Sequence, residues 1–78
     1  MRVYQMAFKG DYMALWFGND LVAIGKWGGG ILPLEQAEAL GLKGDRPNLA
    51  SKLVAKDDAD AVEQFADWVN VLAQPVTV

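Results

Sequence analysis

Residues 2–27 decide the fold: Arg2-Val3-Tyr4-Gln5-Met6-Ala7-Phe8-Lys9, Gly10-Asp11, Tyr12-Met13-Ala14-Leu15-Trp16-Phe17, Gly18-Asn19-Asp20, Leu21-Val22-Ala23-Ile24-Gly25-Lys26-Trp27. In residues 2–9, Tyr4, Met6 and Phe8 fall on one face, with Val3, Gln5, Ala7 and Lys9 on the other. In residues 12–17, Met13, Leu15 and Phe17 oppose Tyr12, Ala14 and Trp16. A period of two is the signature of a strand. The short connections Gly10-Asp11 and Gly18-Asn19-Asp20 are rich in residues that accept tight turns. Three strands (2–9, 12–17 and 21–27) joined by tight turns imply an antiparallel β-meander.

Outward from this meander the pattern changes. Gly28-Gly29-Gly30 interrupts the sheet, and Ile31-Leu32 are placed to rejoin it briefly. Pro33 suits the first position of a helix, Glu35 and Glu38 suit its positive end, and Gly41 suits its stop. The expectation is a short helix over 33–40 with Leu34, Ala37 and Leu40 facing inward. Asn48 suits the N-cap of a second helix over 49–56, with Leu49, Leu53 and Val54 as its apolar positions. Over 58–73, Val62, Phe65, Val69 and Leu72 recur at spacings of three and four, the mark of an amphipathic helix. Asp60 and Glu63 have the spacing of a capping box at its start. A stripe of Ala50, Val54, Ala61, Phe65, Trp68 and Leu72 leaves open whether residues 48–73 form one bent helix or two. The expected class is α+β: a three-stranded antiparallel meander with two or three helices on one sheet face, as one small domain over 1–78.

Composition narrows the chemistry. A chain of 78 residues can bury only about 60% of its unfolded surface, so its stability is marginal. With no Cys and no His, disulfides, thiolate metal sites and the commonest general base are absent. The N-terminal stretch lacks the long apolar core of a signal peptide, and no apolar run reaches membrane-spanning length, so a cytoplasmic protein is expected. The formal charge of −3 is uneven. Residues 1–30 carry three bases against two acids, whereas residues 31–78 carry four bases against eight acids. An acidic second half argues against wrapping a nucleic-acid backbone.

Candidate chemistry is sparse. Gly28-Gly29-Gly30 resembles a phosphate loop only in composition: Ile31-Leu32-Pro33 follows, and Pro33 removes a donor that such a loop would use. The acids Asp57, Asp58, Asp60, Glu63 and Asp67 have no glycine turn among them for a calcium loop, and they suit a solvated helix start. As a surface, they suit a basic partner. Ser51 is the only serine, and Lys52 beside it would point elsewhere on a helix. No catalytic residue, cofactor or metal is therefore expected, and the chain is read as a non-enzyme.

The aromatics carry more. Tyr4, Tyr12, Trp16 and Trp27 lie on the sheet near Arg2, Lys9 and Lys26, and such a surface can stack nucleic-acid bases. Three bases are few for that task. Trp and Tyr are also favoured anchors of protein interfaces. If helices cover Met13, Leu15 and Phe17, then Tyr12 and Trp16 point outward.

A short, acidic, cysteine-free chain with a meander followed by helices resembles, in size and style, the small accessory proteins of phages and mobile elements. The resemblance implies binding, and in some cases inhibition, of a larger host protein. The expected function is a small protein-binding module, an inhibitor or modulator of its partner, with Tyr12, Trp16, Trp27, Asp57, Asp58 and Asp60 as interaction residues. The alternatives are a nucleic-acid-binding module using the sheet aromatics and a self-assembling structural subunit. The expected partner is a protein or a second copy of the chain; nucleic acid and membrane are not.

Overall fold

A computed structural model describes residues 1–44 and 51–72, with side chains described as far as Asn70. The meander is present as β1 (Arg2–Lys9), β2 (Tyr12–Phe17) and β3 (Asp20–Lys26). Met6 faces Leu15 across the first hairpin, and Ala14 faces Ile24 across the second. Gly10 (φ 59°) and Gly18 (φ 60°) supply the left-handed backbone at the two turns. The β2–β3 register shifts at Leu15 and Trp16, which pair with Ala23 and Leu21. Val22 is the extra residue of this bulge, and so both Val22 and Ala23 pack on the same side.

Among the described residues the sheet has five strands instead of three. After Gly28-Gly29, the chain rejoins it as β4 (Gly30–Leu32), antiparallel to β3. The expected helix over 49–56 is overturned. Ser51–Ala55 is a strand, β5, paired antiparallel with β1 from Arg2↔Ala55 to Met6↔Ser51. Within this segment Leu53 and Ala55 pack inward, while Lys52 and Val54 are exposed, a period of two. The spacing of Leu49 and Leu53 also fits a helix, and only the unpaired edge of β1 decides for a strand. Asn48, Leu49 and Ala50, the expected start of that helix, lie outside the described residues. The spatial order is β4-β3-β2-β1-β5.

The expected helix over 33–40 is also revised. Leu34–Gln36 is a single 3₁₀ turn, and the backbone then closes through Leu40 N–H to Gln36 O (3.0 Å). Gly41 (φ 72°) ends it: its N–H bonds Glu38 O (3.1 Å), and Leu42 N–H bonds Ala37 O (2.8 Å). That pair of bonds is a Schellman motif. Ala37 and Leu42 are buried and Leu40 packs beside them, but Leu34, expected inward, is 44% exposed.

The last helix stands as expected: α1 spans Asp58–Leu72, with residue 73 outside the described residues. Its capping differs from the Asp60–Glu63 expectation by one turn. The carboxylate of Asp57 accepts the Asp60 N–H (2.8 Å), and that of Asp60 accepts the Lys56 N–H (3.1 Å). One orphan donor of the helix start, the Asp60 N–H, and the Lys56 N–H just before the helix are thereby paired.

The helical segments do not share one sheet face. On one side α1 sets Ala61, Phe65 and Val69 on Tyr4, Met6, Met13, Leu15 and Ala23. On the other, Ala37 and Leu42 pack on Ala7, Ala14, Trp16 and Ile24. Two small cores sandwich the meander. The cause lies in the strands, whose central residues are apolar on both faces and so demand cover on both.

Candidate functional site

The six expected interaction residues do not form one surface. Trp16 is 5% exposed, within the second core, so the expectation that it points outward is overturned. It forms the floor of a depression of about 420 Å³ walled by Asn19, Leu21, Leu34 and Lys43. Tyr12 is half-buried on that same face, with the Lys26 ammonium 5.8 Å above its ring. Trp27 lies on the opposite face, among the partly buried residues packed against the α1 core. Nor is the sheet an open stacking platform, since Tyr4 is buried beneath α1 and Trp16 on the reverse face.

Asp57, Asp58 and Asp60 are committed to the fold's own bonds. Asp57 and Asp60 cap α1, and Asp60 also accepts from Gln64 Nε2 (3.0 Å). Asp58 Oδ1 accepts from the Tyr4 hydroxyl and from Arg2 Nη1 (3.3 Å). The Arg2 guanidinium in turn stacks 5.1 Å from the centre of the Phe17 ring. Burial raises the Tyr4 phenol pKa above its ordinary value, and the bond to Asp58 adds to the rise. Asp58 therefore joins β1 to α1.

What the structure does leave available is the side of the sheet where β5 ends it. Among the described residues, β5 is paired to β1 along one edge only. Its residues Ser51–Val54 form one wall of a groove of about 410 Å³, with Met6, Gln64 and Trp68 also lining it. Leu53 is half-buried there, packed against the α1 core. The indole of Trp68 continues this surface into an aromatic trio. Its ring lies 5.2 Å from Trp27 and 5.6 Å from Phe8, and Phe8 and Trp27 stack at 6.3 Å. All three rings are partly exposed. On the reverse face of the same edge, Val3 and Val54 are paired across the ladder and are 51% and 48% exposed.

Trp27 is the one expected site residue on this surface; Lys52, Leu53, Val54, Gln64 and Trp68 were not anticipated. The only local signal for them is the alternation of Lys52 and Val54 with Leu53 and Ala55, which over five residues fits a strand without excluding a helix.

The opposite edge offers less. β4 is three residues long, and Pro33, which has no N–H to donate, follows directly. Among the described residues, no helix is long and apolar enough to cross a membrane. No protein-family model matches the chain, and no curated protein and no solved structure matches it either.

Proposed function

We propose that this chain is a non-enzymatic protein-binding module that modulates a larger partner by taking an extended segment of it along the free edge of β5. The observation that carries the reading is that, among the described residues, the five-residue strand β5 pairs with β1 alone and lies beside the groove lined by Met6, Gln64 and Trp68. An edge strand presents a row of backbone donors and acceptors, and an added strand satisfies them while side-chain pockets give selectivity. Trp68, which lines that groove, stands where an incoming segment's apolar side chains would find a rigid aromatic anchor.

The test is hydrogen–deuterium exchange on the complex formed with a partner co-purified from the native host. Slowed exchange of the amides of 51–55, with those of 30–32 unchanged, supports docking at β5. A partner that protects the 33–42 segment or β4 and leaves 51–55 unchanged overturns it.

A further inference from the structure

Resting on that reading, we infer that the segment received by β5 is an apolar strand carrying one carboxylate opposite Lys52. The two sides of the β5 edge ask for different side chains. On the α1 side, Leu53, Met6 and Trp68 line the groove together with polar Ser51 and Gln64. A strand laid there sets alternate residues into this groove. On the reverse side the edge carries Lys52 and Val54. Lys52 is exposed and faces uncharged Gln5 across the ladder. Among the described residues the only salt bridge is Arg2–Asp58, and Lys52 forms no ion pair with any of them. Of the acids at the Ala55 end of the strand, Asp57 and Asp60 cap α1, and Asp58 holds Arg2 and Tyr4. A strand that pairs with β5 sets a residue beside this exposed cation mid-edge, and a carboxylate is what complements it. Opposite Val54, beside Val3, an apolar residue fits.

The same lysine argues against a second copy as the occupant. Antiparallel self-pairing about a two-fold axis normal to the sheet centres the register on one residue. Centring on Lys52 sets it against its own counterpart, and centring on Val54 sets Lys52 against Lys56. Like charges directly opposed destabilise a ladder. The remaining central register, on Leu53, covers the ammonium with Val54. A lysine on an edge strand is a common device against self-pairing. Here it also selects a partner of opposite charge.

The experiment uses synthetic peptides of about eight residues with alternate apolar residues and either Glu or Lys at the position opposite Lys52. N-methylation of alternate residues lets each peptide pair along one edge only. The full chain is titrated and followed by β5 amide shifts in NMR. The Glu peptide is expected to bind roughly two- to tenfold more tightly than the Lys peptide, with the gap closing in high salt. Lys52→Glu, on an exposed position that leaves the core intact, is expected to reverse the preference. Equal binding of both peptides, an unchanged preference in Lys52→Glu, or no binding of either overturns the inference. So does light scattering that shows the chain alone dimerising through β5. If no peptide binds while a natural partner still protects residues 51–55, the carboxylate rule fails and edge docking stands.

Discussion

The Tyr4 hydroxyl donates its hydrogen bond to Oδ1 of Asp58, joining the first strand to the first residue of α1. Tyr4 is fully buried beneath the helix, and its ring lies 5.0 Å from Phe17. The phenol is therefore held in its protonated form by burial first and by the acceptor carboxylate second. With a folded pKa above the ordinary phenol value of about 10, its contribution to stability is fully present below that value. It is lost as pH rises through the folded pKa. Ultraviolet titration is expected to show one tyrosine ionising above the usual range. In Tyr4→Phe that late step disappears, and the alkaline fall in melting temperature becomes shallower.

Phe65 is fully buried where α1 crosses the sheet, against Met13, Leu15 and Val69 among others. Phe65→Ala removes a ring from the centre of the larger core and leaves a cavity, at a cost of about 3–5 kcal/mol. Small domains hold only about 5–15 kcal/mol in total. Urea denaturation is expected to show a midpoint shifted strongly downward, or no native baseline at all.

Trp16 differs in environment from the other two tryptophans. It is buried in the second core, whereas Trp27 and Trp68 are partly exposed in the trio with Phe8. Acrylamide should quench Trp27 and Trp68 emission readily and leave a protected component that disappears in Trp16→Phe. Trp16→Ala is expected to cost about 3–5 kcal/mol by chemical denaturation, as a core residue does.

Gly25 lies where β3 passes beneath α1. A Cβ added there would sit 3.2 Å from Gly30 O, 3.4 Å from Val69 Cγ2 and 3.5 Å from the Phe65 ring. Alanine needs shifts of a few tenths of an ångström; valine adds two methyls to a filled gap. Gly25→Val is expected to cost about 1–3 kcal/mol through overpacking, and Gly25→Ala clearly less. Thermal unfolding of the pair measures the difference.

The meander, both of its turns and α1 were legible because each is a local pattern. Tyr4, Met6 and Phe8 alternate with Val3, Ala7 and Lys9 whatever surrounds them, and Val62, Phe65 and Val69 keep helical spacing whatever they touch. The candidate site was largely illegible. Asp57, Asp58 and Asp60 looked like a surface for a partner, but their bonds run to Lys56, Gln64, Tyr4 and Arg2. A cluster of acids reads alike whether it caps a helix or meets a ligand.

By itself, then, the sequence determined which residues share a strand face and which share the helix stripe, because those depend only on backbone periods of two and 3.6. Tertiary structure alone decided that Ser51–Ala55 is a strand, and that both sides of the meander are covered. Five residues are too few for either period to assert itself, so Ser51–Ala55 took the conformation that the open edge of β1 could pair. Alternation names two faces without saying what will cover each. The turn ending at Gly41 laid Ala37 and Leu42 over Ala14 and Ile24 and buried Trp16, while β5 ends the sheet among the described residues.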